Sequence, residues 1–228
     1  MKILKYAGVL ITISCLALLS YGGMGYWAAL SDAEVLGTRA DDLISGRRGG
    51  DSLGARYRDI LIRVEDPNFW DHSGLDISTP GAGLTTITQS LAKRVAFDEF
   101  HPGLRKVRQT GYALGLEVRL SKAQILALWL DSLEIGEGPN GWIVGFHNAS
   151  DVLYGRPPES VTETQFIRLV AVLIAPASFD LTEHDTALDE RTKRIQRLIA
   201  GICAPVDNSD VWLDGCRAPS NERAKPTS

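Results

Sequence analysis

Basic charge is in short supply in this chain. Its 228 residues carry 24 Lys and Arg against 28 Asp and Glu, a formal net charge of -4. A nucleic-acid binder usually shows the opposite balance, so nucleic acid is not expected as a partner. A local basic cluster such as LRKVR, Leu104 to Arg108, must serve a smaller anion. Cysteine is scarce too, with three in all. Cys15 sits in an apolar stretch without the leucine three residues earlier that a lipid-attachment site needs; that position is Thr12. No internal repeat is visible, and the length excludes two full catalytic domains. With 44% hydrophobic and 23% charged residues, the composition suits one compact globular domain with short appendages.

Charge of either sign is missing from Tyr6 to Ser31. At about 1.5 Å per residue, a helix of that length crosses a hydrocarbon core of about 30 Å. Lys2 and Lys5 precede the stretch while Asp32 and Glu34 follow it. The positive-inside rule then puts the N-terminus in the cytoplasm and the rest outside, with Tyr26 and Trp27 at the outer headgroups. The other reading is a cleaved signal peptide ending near Gly22 and Gly23. The apolar stretch exceeds the ~7–15 residues of a signal-peptide core, which favours the anchor.

The chain divides into an N-terminus and anchor (1–31), a linker (32–50), a working domain (51–202) and a tail (203–228). Gly37 to Gly54 is rich in Gly, Arg and Asp, which is linker composition. The tail from Ala218 is polar and reads as disordered. In an oxidising space outside the cytoplasm, Cys203 and Cys216 can close a small loop and tie down the tail; two free thiols are the alternative.

The domain reads as mainly α. Thr86 to Gln89, Ser121 to Gln124 and Thr162 to Gln165 each fit a capping box, in which a Ser or Thr oxygen and a Gln three residues on satisfy free backbone N–H groups. Apolar residues recur after the first box (Ile87, Leu91, Val95) and the third (Phe166, Leu169, Val170, Leu173), with Pro176 as a stop. A further amphipathic helix is expected from about Leu188 to Ile202, with Arg191, Lys193, Arg194 and Arg197 on its wet side.

Two polar stripes stand out. Thr85, Gln89 and Lys93 fall at i, i+4, i+8 along the helix behind GAGL, Gly81 to Leu84, and a helix start of this kind suits an anion. Arg105 and Gln109 share a face of the next helix, with Lys106 alongside. Either stripe alone reads more readily as a solvated face. No metal site is expected, because Asp66, Asp71, His72 and Asp76 match neither zinc nor EF-hand spacing.

EDPNFWDHSGLD, Glu65 to Asp76, resembles the first motif of the peptidoglycan glycosyltransferases of the lysozyme-like superfamily, E-D-x-x-F-x-x-H-x-G-x-D, at every fixed position. Gly83 to Lys93 resembles the second, G-x-S/T-T-I-T-Q-x-L-x-K. RKVRQ, Arg105 to Gln109, resembles the third, R-K-x-x-E, with Gln for the final Glu. SKAQILALWLDSLEIG resembles the fourth, K-x-x-I-L-E-x-Y-L-N, with Ala127, Trp129 and Asp131 at the family's Glu, Tyr and Asn. GFHNASDVLYGR resembles G-I-x-x-A-x-x-x-Y-F-G-K. The likeness covers about Tyr57 to Ile202, and without a transpeptidase domain it resembles the monofunctional, membrane-anchored branch.

The resemblance implies a lysozyme-like helical domain behind a single N-terminal transmembrane helix, in the bacterial inner membrane with its catalytic domain in the periplasm. The implied reaction polymerises lipid II: a sugar hydroxyl attacks the anomeric carbon of another lipid-linked disaccharide and expels undecaprenyl pyrophosphate. Glu65 matches the general base, kept charged by neighbouring cations. Gln109 stands at the second catalytic position. Asp66, Phe69, His72, Thr85, Thr86, Gln89, Lys93, Arg105 and Lys106 match substrate-binding positions, Asp66 and His72 as orienters of the loop. No cofactor is required, and Mg with the substrate pyrophosphate is the one admitted. Implied partners are lipid II, the growing lipid-linked glycan, membrane lipid and other cell-wall synthases.

Gln109 can donate a hydrogen bond but cannot carry charge, and losing one preorganised group typically costs about a hundred- to a thousandfold in rate. Glu117, two turns on, is the residue that could compensate. A weakened homologue that binds lipid II or a cell-wall partner is therefore the alternative, with Gln109, Ala127 and Asp131 as its marks. A glycan-cleaving enzyme using Glu65 as acid is the third reading, disfavoured by the cationic stripes.

Overall fold

The computed structural model describes residues 2–97 and 103–218. The part of the tail expected to be disordered lies largely outside them. The protein is mainly α, with eight helices and one hairpin among the described residues: α1 (Lys2–Ser45), α2 (Gly54–Glu65), α3 (Ile87–Val95), α4 (Arg105–Arg119), α5 (Lys122–Ser132), β1 (Glu134–Gly138), β2 (Gly141–Val144), α6 (Phe146–Tyr154), α7 (Glu163–Val172) and α8 (Thr186–Ile199).

At the centre lies α5, whose segment Ile125 to Leu130 is buried on every side. A helix apolar all round is a core helix. Against it pack α1, α3, α4 and α6, while α7 packs on α2 and α8, and buried residues of all of them join in one core. Both Ser121 on α5 and Thr162 on α7 close full capping boxes. The expected box at Thr86 is half made. Thr86 accepts from the Gln89 amide N–H, but the Gln89 side chain turns to Thr110 Oγ1 at 3.2 Å. The hairpin, antiparallel with Glu137 opposite Trp142, was not expected from the sequence.

Residues 32–45 depart from the expected linker: α1 runs unbroken through them. Its first half is exposed and apolar, and it is the one described helix long and apolar enough to cross a membrane. Its second half docks on α4 and α5 through Ala29, Ala33, Ala40 and Leu43, all buried. Backbone meets backbone there. A Cβ on Gly111 would lie 1.9 Å from Gly22 O, and one on Gly115 2.6 Å from Tyr26 O. Small residues that let two helix axes approach are a membrane-helix device, here continued into the domain. Tyr112 Oη donates to Asp32 at 2.7 Å, and Arg39 reaches Asp131 at 2.6 Å. Composition marked this segment as a linker, whereas the helical spacing of its small apolar residues buries it.

In the C-terminal third one expectation fails and another, the Cys203–Cys216 disulfide, is met. Arg191 and Arg194, expected on the wet face of α8, are buried. They face residues 203–216, which fold back as a loop closed by the Cys203–Cys216 disulfide, with Leu213 and Cys216 buried.

Candidate active site

The site starts where α2 ends. Glu65 is its last residue, and the chain then turns through Asp66 to Asp76 into the start of α3. Asp66 is fully buried. Its carboxylate accepts from His72 Nε2 at 2.9 Å and from the Ile87 N–H at 2.8 Å. His72 Nδ1 in turn accepts from the Gly74 N–H at 3.0 Å, which places the ring proton on Nε2. Thr86 Oγ1 donates to Gly74 O at 2.8 Å. Phe69 fills the turn from inside, fully buried beneath Lys122 Nζ at 4.5 Å from its ring centroid. Burial opposes ionisation of Asp76, but bonds from Thr79 and Ser78 dominate and hold its carboxyl far below the usual range. The turn is therefore a rigid bracket that fixes Glu65 relative to α3.

Glu65 alone among the turn's acids meets a cleft. It lines a cavity of about 320 Å³ with Gly81, Gly83, Leu84, Thr85, Ile174, Arg191 and Val211. Burial raises its carboxyl to about 7, while Arg191 and Arg94 pull it down and Asp66 adds to the rise. A carboxylate so placed is divided between its two forms at neutral pH, which suits an acceptor of protons. Burial also lowers Arg191, to about 10, with Glu65 opposing, so its guanidinium stays cationic. Neither Nε nor Nη1 of Arg191 meets an acceptor among the described residues. The cations that act on Glu65 are thus Arg191 and Arg94 rather than the expected stripes.

Those stripes divide by exposure. Thr85 and Lys93 are exposed at opposite ends of α3, whereas Thr86 and Gln89 are buried. Lys106 Nζ donates to Thr85 Oγ1 at 3.3 Å, joining the start of α4 to the rim of the Glu65 cleft, and Arg105 is exposed on the same turn. Lys93 lines a second groove of about 710 Å³ with Arg39, Arg94, Asp131 and Glu134. Gln109 is buried, and its Nε2 donates to Gln89 O at 2.7 Å, so its amide is engaged between α3 and α4. Glu117 is taken up by the scaffold, bonding to Thr88 Oγ1 and to Lys122 Nζ, and is not free to compensate for Gln109. Asp131 pairs with Arg39 and Arg48, and Ala127 is fully buried in the core. Gln109 thus replaces a charge with a neutral amide between α3 and α4, and Asp131 adds a carboxylate to the groove that Lys93 lines.

A family model described as transglycosylase matches residues 49–200. The chain belongs to the transglycosylase family. It is 31% identical over 149 residues to a biosynthetic peptidoglycan transglycosylase of Marinomonas sp., covering 60% of this chain and 64% of that protein. It is 32% identical over 143 residues to the one of Ralstonia nicotianae, covering 57% and 59%. Penicillin-binding protein 1B of Escherichia coli is 27% identical over 154 residues, covering 62% of this chain and 18% of that protein. The chain thus spans about a fifth of the penicillin-binding proteins it matches and about three fifths of these two transglycosylases.

Within the transglycosylase domain, the expected site residues sort into two sets. Glu65, Thr85, Lys93, Arg105 and Lys106 reach solvent or a cleft. Asp66, Phe69, His72, Thr86, Gln89 and Gln109, grouped with the substrate contacts and the second catalytic position, are buried. Sequence reasoning missed Arg94 and Arg191. Arg94 carried no signal beyond its place beside Lys93. Arg191 sits between Leu188 and Ile195, on the apolar side of α8, and that phase could have marked it as an inward-facing cation.

Proposed function

We propose that this transglycosylase polymerises lipid II into glycan strands, with Glu65 as the general base for the attacking sugar hydroxyl and undecaprenyl pyrophosphate as leaving group. The observation that carries the reading is Glu65 itself: a carboxylate raised to about 7, in a cleft it shares with the Arg191 guanidinium, two of whose nitrogens meet no acceptor among the described residues. Proton acceptor and cation together suit a reaction in which a hydroxyl loses its proton while a diphosphate departs. Thr85, Lys106, Arg105 and Lys93 add donors and cations along the rims. Mg, where present, would come with the pyrophosphate. The exposed apolar part of α1 anchors the chain in the inner membrane, N-terminus cytoplasmic and domain periplasmic, where lipid II, the growing chain and other synthases meet it.

Gln109 supports a second reading, a lipid II-binding homologue with little or no turnover, because its buried amide holds Gln89 O rather than offering charge. Incubating the detergent-solubilised protein with lipid II separates the two: polymer that disappears in Glu65→Gln supports the enzyme, and binding without polymer supports the homologue. Polymer undiminished in Glu65→Gln would remove Glu65 from its role.

A further inference from the structure

The disulfide-closed loop 203–216 lies beyond the family match and borders the Glu65 cleft on two sides. On one side it holds the segment before α3. The Gly81 N–H donates to Asp207 O at 2.9 Å, the Gly83 N–H to Asn208 O at 2.8 Å, and Asn208 Nδ2 to Thr79 O at 2.9 Å. Gly81 and Gly83 have φ of +80° and +67°, and a Cβ on either would lie 2.7 Å from Pro205 or Val211. On the other side the loop meets α8. Arg194 donates to Trp212 O at 3.0 Å and to Asp214 at 2.8 Å, and the Arg191 guanidinium lies 5.9 Å from the Trp212 ring centroid. Inside the loop, the Asp210 carboxylate accepts from the N–H groups of Val206, Asp214 and Gly215. Val211 completes the contact by lining the same cleft as Glu65, Thr85 and Arg191.

We propose that this loop is a positioning element of the active site, fixing the Gly81–Leu84 segment opposite Glu65 and thereby setting how tightly lipid II is held. The proposal rests on the lipid II reading above. Two glycines at positive φ leave that segment with a large conformational freedom to lose on binding. Their amide hydrogens go to the loop, so the segment owes its shape to residues more than a hundred positions away. Closing 203–216 with a covalent bond restricts the loop in turn, and substrate then meets a wall already in place rather than one it must order.

The test compares three full-length proteins in detergent: the oxidised wild type, Cys203→Ala/Cys216→Ala, and Asn208→Ala, which keeps the disulfide. Each is assayed below its melting temperature. Opening the loop should raise KM for lipid II about fivefold or more with kcat changed less than about twofold, because ordering rather than chemistry is affected. Asn208→Ala should move KM the same way by about two- to threefold, the low end of what one lost hydrogen bond amounts to. Amide exchange over residues 79–85 should quicken in both variants. Unchanged KM in both, or a fall in kcat at constant KM, would overturn the proposal. If the wild type makes no polymer, the polymerase reading fails by itself, and the loop is judged by lipid II affinity: weaker binding in the opened chain upholds it, and equal binding overturns it.

Discussion

Replacing Gln109 by Glu restores the residue type that the third motif has at this position, and the structure assigns the exchange a cost. Gln109 Nε2 is a buried donor to Gln89 O at 2.7 Å. An ionised carboxylate in its place cannot donate; the Gln89 carbonyl keeps only its bond within α3 and now faces a buried negative charge, which amounts to about 1–3 kcal/mol. In a chain of this size that lowers the melting temperature by about 2–4 °C per kcal/mol. The protonated carboxyl can donate the same bond, so burial raises its folded pKa above the unfolded value of about 4.3. The penalty is therefore absent below about pH 4 and grows as pH rises toward the raised folded value. Thermal unfolding of Gln109→Glu in detergent at pH 4 and pH 8 reads it directly: variant and wild type should coincide at pH 4 and separate at pH 8. Equal stability at pH 8 would refute the reasoning. The same variant, given lipid II with magnesium, should gain polymer if the wild type is a slow polymerase. A loss of lipid II affinity without polymer, with or without magnesium, would favour the binding homologue.

Glu65→Gln should abolish polymer while sparing lipid II affinity, and the wild-type kcat/KM should fall about tenfold per unit below pH 7 because the base becomes protonated. Since the folded pKa of Glu65 is raised, the cost of its ionised form sets in above about pH 4.5 and is complete near pH 7, so Glu65→Gln should melt higher than wild type at pH 8 and not at pH 4; equal melting at pH 8 would count against a desolvated Glu65. Lys106→Ala should weaken lipid II binding by about 1.5 kcal/mol, roughly tenfold, if its ammonium at the Thr85 rim meets a phosphate; wild-type affinity would make it a solvated face. Gly115→Val should lower the melting temperature through about 1–3 kcal/mol of overpacking between α1 and α4, and an unchanged melt would show that this contact carries little.

Much of the site was legible because its marks are local. Glu65, Asp66 and His72 lie within eight residues of one another, so the motif that resembles the family's first one can be read from a single short stretch. The capping residues of α3, α5 and α7 were read from side chains that bond within four residues. What escaped depends on distant partners. The burial of Arg191 depends on residues 203–216 folding back over α8; the close approach of Gly22 and Tyr26 to α4 depends on Gly111 and Gly115 almost ninety positions away, and the docking of residues 32–45 on Tyr112, Gln124 and Asp131. Composition sees neither. Gln89 was matched to a substrate position and Gln109 to the second catalytic one, and both lie in the contact between α3 and α4, so a polar stripe that reads as solvent-facing becomes a seam there.

The unbroken course of α1 has a mechanical consequence. Its 44 residues form a rod of roughly 66 Å, half apolar and exposed and half joined to α4 by backbone contact. Such a rod has no hinge. From Ser31 to its end it rises only about 21 Å, so in a bilayer the domain would stand at a set height and azimuth. Where the membrane thickens or thins and the helix tilts to match, the whole catalytic domain would swing with it, and local bilayer thickness would become a variable that the site feels.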